Sequence, residues 1–380
     1  MTEIYLIAGE QSGDVLGARL MAALRVHEPD IAFAGVGGAR MTEQGLSPLF
    51  AMDELAVMGL LEVLPRVRRL RRLLHDVIAD IRARRPDVVV TIDSPGFMLR
   101  VLRAIRPDGI LRTHYVAPQV WAWRSWRVKS FPGHWERLLC LLPFEPAWFA
   151  SHGLEAMFVG HPVLESGADQ GDAARFRSRH NLAPDRPVIV LMPGSRRSEV
   201  PRLLPVFGQT LTLLARDLPG VVPVVPTTSA VADTVRRATE HWPIAPILVT
   251  DTDEKHDAYA AASAALTKSG TSTLELALAG LPMAVTYRVN PVSAALARRL
   301  IQVKHVAMVN LLAGRELVPE LLQEQCRADL LAATVVRLVR DPAAAQAQRD
   351  GFAAVIDSLR APAGTPSDAA ARAVLALIGR

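Results

Sequence analysis

The stretch Ile4-Tyr-Leu-Ile-Ala8-Gly9-Glu10-Gln11-Ser12-Gly13-Asp14 decides how the chain is read. Five apolar or aromatic residues fit a buried strand, a glycine-bearing loop ends it, and Leu16, Leu20 and Leu24 then recur at helical spacing. The same unit repeats. Ile31 to Val36, Val88 to Ile92, Arg112 to Val116 and Leu138 to Leu142 read as further strands, separated by helical patterns. Strand–helix alternation implies right-handed crossovers and a mostly parallel sheet.

The pattern starts again after Gly160-His161-Pro162. Strands are expected at Val188 to Met192, Val221 to Val225, Pro246 to Thr250, Ala264 to Thr267 and Pro282 to Tyr287. At 380 residues the chain exceeds the roughly 250–300 residues at which single cores stop growing. The expected fold class is therefore α/β, with two facing Rossmann-like doubly wound domains and a cleft between them. Their bounds are read as 1–165 and 166–355, with a C-terminal helix in 356–380 that packs back on the first domain. Ala332 to Arg380 reads as two helices split by Ala361-Pro362-Ala363-Gly364.

Composition narrows the function classes. Half the residues are hydrophobic, 21% are charged and mean hydropathy is +0.20, which excludes an intrinsically disordered chain. Two cysteines, Cys140 and Cys326, exclude a disulfide framework and a cysteine-rich zinc site. Four of the 43 basic residues are lysines and 39 are arginines, for a net charge of +5. Arginine is spread through both halves without a nucleic-acid module, so nucleic acid is not an expected partner. The first residues lack a basic segment before an apolar core, and no apolar run reaches the roughly 18 residues of a spanning helix. The expected location is cytoplasmic.

Ligands of doubly wound domains sit beyond the carboxyl ends of the strands. The first such loop carries Gly9, Ser12, Gly13 and Asp14. Its glycine spacing is neither the dinucleotide fingerprint nor a Walker loop; it allows close backbone approach to a ligand, or a tight turn in which Ser12 or Asp14 caps the helix. Asp93-Ser94-Pro95 ends the third strand, where a carboxylate can accept a proton from a substrate hydroxyl or cap the next helix. Pro193-Gly194-Ser195-Arg196 has the chemistry of an anion site: small residues, a hydroxyl and a guanidinium fork at a helix start. Ser269-Gly270-Thr271-Ser272-Thr273-Leu274-Glu275 repeats that logic. There Glu275 suits a ribose diol or simply a helix N-terminus. A candidate base in one half and two phosphate-type loops in the other fit a nucleotide-sugar glycosyltransferase. No carboxylate pair has metal-ligand spacing, so neither a metal nor another cofactor is expected.

Taken together, these segments resemble the lipid-A-disaccharide synthase family, glycosyltransferases of the GT-B type. The likeness is carried by Ala8 to Asp14, Leu55 to Gly59, Asp93 to Phe97, Tyr115 to Arg124, Leu142 to Glu145, Val159 to Pro162, Pro193 to Arg196, Ser269 to Glu275 and Asn310 to Gln323. The resemblance implies transfer of the sugar of UDP-2,3-diacylglucosamine to the 6-hydroxyl of 2,3-diacylglucosamine 1-phosphate, with inversion and release of UDP. It implies that Asp93 is the base and that Arg196 stabilises the departing diphosphate. It places Ser269, Gly270, Thr271, Glu275 and Asn310 near the nucleotide. Where the family has an acidic residue, Phe and Asn, this chain has Gly96-Phe97-Met98. The nearest alternative is another GT-B UDP-sugar enzyme, a UDP-N-acetylglucosamine epimerase or a peptidoglycan-type transferase. Homodimer formation stays open.

Two further features follow from the residues. Tyr115 to Arg124 holds two tryptophans, a tyrosine and an arginine, either a packed aromatic cluster or a loop bordering sugar or acyl groups. His114 and His161 read as structural histidines. Met58, Leu60, Leu61 and Leu64 precede a helix bearing Arg66, Arg69 and Arg72. An apolar patch beside arginines suits an anionic membrane surface, so peripheral docking on the inner face of the cytoplasmic membrane is expected.

Overall fold

A computed structural model describes residues 2–55, 67–197, 199–290, 300 and 302–379. The chain divides into two compact units: residues 1–162 together with 359–380, and residues 163–358.

The first unit is built on seven parallel strands. They are β1 (Glu3–Ala8), β2 (Ala32–Val36), β3 (Ser47–Pro48), β4 (Val88–Ile92), β5 (Leu111–Tyr115), β6 (Arg137–Cys140) and β7 (Ala156–Phe158). Their order in the sheet is β3-β2-β1-β4-β5-β6-β7. Ile4 to Ala8 and Val88 to Val90 are fully buried, because helices cover both faces of a parallel sheet and leave no polar side. Gly35 in β2 has φ +131, and a Cβ there would lie 1.9 Å from the carbonyl oxygen of Leu6. Only glycine lets β2 pair with β1 at that point.

The second unit has six parallel strands: β8 (Val188–Met192), β9 (Val222–Pro226), β10 (Ile247–Val249), β11 (Ala264–Lys268), β12 (Met283–Tyr287) and β13 (Glu320–Leu322). Their order is β10-β9-β8-β11-β12-β13.

The ten strands expected from sequence all occur, and three more, β3, β7 and β13, join them at sheet edges. β3, Ser47-Pro48, and β13, Glu320-Leu321-Leu322, carry polar or proline residues and so lack the continuous apolar run that marks the central strands. The C-terminal region differs from the expectation of two helices. Helices Ala328–Arg340, Pro342–Ser358 and Pro366–Leu377 fill it, the first two separated at Asp341-Pro342 because proline supplies no N–H for continuing the helix.

The last helix belongs to the first unit. Ala370, Ala371 and Val374 are buried in its core, Arg137 Nη1 donates to the Ala373 carbonyl at 2.9 Å, and His27 meets Asp368 at 2.6 Å. The His161 backbone N–H ties the returning chain to Leu359 O at 2.9 Å. Burial pulls the His161 imidazole down to about 4, so it is neutral near pH 7.

Met58, Leu60, Leu61, Leu64 and Arg66 lie outside the described residues. Arg69 and Arg72 are exposed on helix Val67–Arg84, and Arg69 pairs with Glu54 at 2.9 Å. That helix buries Leu73, Val77 and Ile81, with Leu74 and Ile78 packed beside them.

Candidate functional site

In an open parallel sheet the crevice opens where neighbouring strands send their connections in opposite directions. In the first unit that point lies between β1 and β4, so the loops beginning at Gly9 and Asp93 emerge side by side. In the second unit it lies between β8 and β11, which brings together the loops beginning at Pro193 and Ser269. All four loops singled out from sequence thus end at a switch point of their own sheet.

The Asp93 loop is conformationally strained. Asp93 and Ser94 have φ +53 and +42, two consecutive non-glycine residues in the left-handed region, an arrangement that costs about 1–3 kcal/mol per residue. The surroundings impose it. Asp93 N–H donates to Tyr115 O at 2.9 Å, and Asp93 Oδ1 accepts from Ser94 N–H at 2.7 Å. Ser94 Oγ donates to Glu10 Oε1 at 3.4 Å, and a Cβ on Gly9 would sit 3.2 Å from Ser94 Oγ. Helix Pro95–Ile105 begins at Ser94, whose side chain makes no cap bond. The carboxylate stands half-buried at the strand tip.

The neighbouring aromatic loop splits into a packed part and an exposed part. Trp121 is buried; its Nε1 donates to Glu145 Oε1 at 3.0 Å and its ring meets Phe144 edge-on at 4.9 Å. Glu145 Oε2 accepts from Leu141 and Leu142 N–H at 3.1 and 3.0 Å. Burial pushes the Glu145 carboxyl up to about 7 against those three hydrogen bonds. Trp123 and Trp126 are exposed at 42% and 69%, the former beneath the Arg124 guanidinium at 4.4 Å. His114 is buried and bonds Thr91 Oγ1 at 2.8 Å; burial, helped by the charge of His134, lowers it to about 3.

In the second unit, Gly194 turns the chain with φ +107 and leaves Ser195 and Arg196 exposed. Helix Val200–Asp217 follows without a side-chain cap bond. Across the switch point, Gly270 has φ +151 and Ser269 Oγ donates to Val306 O at 2.8 Å. Thr271 precedes the short helix Ser272–Leu278. Glu275 Oε2 accepts from Lys255 Nζ at 3.1 Å and Tyr259 OH at 3.5 Å. An uncapped helix start, a glycine turn and a guanidinium favour an anion.

Comparison with known proteins identifies the family. A family model described as lipid-A-disaccharide synthetase matches residues 4–374. The chain belongs to that family. A lipid-A-disaccharide synthase of Granulibacter bethesdensis is 61% identical, the alignment covering 99% of each chain. One of Pseudomonas aeruginosa is 42% identical over 99% of this chain and 98% of its own. Membership makes the chain a glycosyltransferase of lipid A disaccharide synthesis. Among solved structures, the S. aureus MnaA–UDP co-structure has a TM-score of 0.66 at 14% identity, covering 100% of this chain and 98% of that one. The calicheamicin glycosyltransferase CalG4 has a TM-score of 0.61 at 17% identity, covering 100% and 99%. These likenesses establish the GT-B fold class.

Two residues expected near ligand do other work in this synthase family member. Asp14 is buried, and its carboxylate accepts from the backbone N–H groups of Gly38, Arg40 and Met41 at 2.8, 3.0 and 3.0 Å. It caps helix Ala39–Glu43, not the helix in which it sits. Asn310 is fully buried. Its Oδ1 accepts from Leu317 and Val318 N–H at 2.7 and 2.9 Å, and its Nδ2 donates to Val318 O and Glu320 Oε1 at 2.9 and 2.8 Å. An amide so fully bonded shapes the 310–320 segment and has no capacity left for a ligand. Gly13 packs over Ile92, while Ser12 is exposed on the first turn of helix Gln11–His27.

Sequence reasoning passed over Glu199, Lys268 and Tyr287, which the fold gathers beside Arg196. Lys268 and Tyr287 are the last residues of β11 and β12, a position legible only once strand ends and register are known. Among the described residues, no group of three or more His, Cys, Asp or Glu could hold a metal ion, and no helix is long and apolar enough to cross a membrane.

Proposed function

We propose that the chain transfers the sugar of UDP-2,3-diacylglucosamine to the 6-hydroxyl of 2,3-diacylglucosamine 1-phosphate. The acceptor oxygen bonds to the anomeric carbon, the bond to UDP breaks, and a β-1,6 disaccharide 1-phosphate forms with inversion. Asp93 takes the hydroxyl proton, and the departing UDP carries the negative charge. The observation that carries this reading is the strained, half-buried Asp93 carboxylate at the β1–β4 switch point. Strain held by surrounding bonds at a strand tip is a recurrent mark of a working residue.

The second unit takes the nucleotide. Arg196 stabilises the developing diphosphate charge, an effect worth about 10²–10³ in rate for a single well-placed donor. Gly194, Ser195, Ser269, Gly270 and Thr271 offer backbone and hydroxyl groups to the phosphates, and Glu275 takes the ribose diol. Gly9, Ser12 and Gly13 border the acceptor sugar. Diacylated substrates reside in a bilayer, and residues 58–72 dock the protein on its anionic inner surface. Support for docking comes from the sequence of that stretch and from the exposed Arg69 and Arg72.

Incubation with both diacylated substrates tests the reading: UDP and a disaccharide are expected. Asp93→Asn should lower the rate by about 10²–10⁴-fold, and Arg196→Ala by about 10²–10³-fold, with circular dichroism unchanged. An undiminished rate in Asp93→Asn removes it as the base. A 2-epimerised UDP-sugar without transfer would favour the epimerase reading.

A further inference from the structure

The ends of β8, β11 and β12 carry a charge cluster within the second unit that no role above uses. Glu199 is its centre, with a side chain 10% exposed. Its Oε2 lies 2.9 Å from Lys268 Nζ. Its Oε1 accepts from Tyr287 OH at 3.1 Å and from Arg196 Nη1 at 3.4 Å. The Lys268 ammonium also stands over the Tyr287 ring, 5.6 Å from its centroid. Burial pushes the Glu199 carboxyl up, but Lys268, Arg196 and Tyr287 outweigh it and hold it below its ordinary value.

Two cations share one carboxylate, so the cluster keeps a surplus positive charge. The surplus lies between the two glycine turns. A Cβ on Gly194 would fall 3.2 Å from Lys268 Cδ, and a Cβ on Gly270 would fall 3.8 Å from Lys268 Nζ. Lysine at that spot is a compact charge on a stem long enough to exchange one oxygen partner for another. Glu199 holds the ammonium in place until such a partner arrives.

We propose that Lys268 is a second cation for the diphosphate of the donor nucleotide, acting beside Arg196 and held in place by Glu199. The proposal rests on reading the Gly194 and Gly270 turns as the diphosphate site. On binding, the ammonium turns from its ion pair with Glu199 toward a phosphate oxygen, and it meets the charge that grows as UDP departs.

Calorimetric titration of the full chain with UDP and with uridine tests this, since uridine lacks the diphosphate. Lys268→Gln removes the charge but keeps a polar side chain; Lys268→Arg keeps the charge. In Lys268→Gln, UDP affinity should fall about tenfold or more, as for one charge-assisted bond, with uridine affinity within twofold of wild type. Lys268→Arg should retain the preference for UDP. Unchanged UDP binding in Lys268→Gln, or equal losses for UDP and uridine, overturns the role of Lys268 while leaving the donor assignment intact. A wild-type protein that binds no UDP overturns both readings together.

Discussion

The Trp121 indole donates to Glu145 Oε1 at 3.0 Å, joining the loop after β5 to the loop after β6 through a carboxyl that is 2% exposed. Burial raises Glu145 from 4.5 to about 7, so the folded state binds a proton that the unfolded state releases over this range. Such a group stabilises the fold below its unfolded value and loses that contribution as pH rises through its folded value. Between pH 5 and pH 8 the wild type should therefore lose stability relative to Glu145→Gln by on the order of 2–3 kcal/mol. Urea unfolding followed by tryptophan emission checks it, since five of the six tryptophans lie in the first unit. Parallel pH profiles for the two proteins would contradict the assignment.

Asp14→Ala should destabilise the first unit without weakening UDP. Removing the carboxylate strips three backbone N–H groups of their acceptor, and lost caps and unsatisfied buried donors cost about 1–3 kcal/mol. A fall of several degrees in Tm is expected, with calorimetric UDP affinity unchanged. A variant of normal Tm that binds substrate poorly would return Asp14 to the ligand.

Gly96→Asp should be accepted and mildly stabilising. A Cβ at Gly96 meets no heavy atom within 4 Å, and the residue is exposed in the first turn of helix Pro95–Ile105. Replacing glycine there reduces the entropy lost on folding, and an acid favours the helix N-terminus, for about 0.5–1 kcal/mol. Differential scanning calorimetry reads the result; a lower Tm would mean that the loop cannot admit an acid.

Leu60→Ser, Leu61→Ser and Leu64→Ser together should weaken partitioning onto anionic vesicles by about 10²-fold, from roughly 1 kcal/mol per leucine no longer inserted. Sedimentation with phosphatidylglycerol vesicles measures it. Raising salt should weaken the wild type further as the arginine contribution is screened. Unchanged partitioning would place the membrane contact elsewhere.

Local physics accounts for what was legible from residues alone. Central strands such as Ile4–Ala8 and Val88–Ile92 are buried on both faces, so each appears as a continuous apolar run, and the glycine-bearing loops that end them stand out. The α/β class, the two-sheet organisation and the positions of the four loops were readable on that basis. Tertiary structure decided the use of each side chain. Asp14 and Asn310 carry ligand-binding chemistry in the sequence, yet folding aims backbone N–H groups from residues 38–41 and 317–318 at them. Lys268, Glu199 and Tyr287 are unremarkable apart from one another, and only the register of β8, β11 and β12 brings them to one carboxylate. Hydrogen-bond capacity and charge balance depend on neighbours distant in the chain, and those neighbours exist only once the sheet has formed.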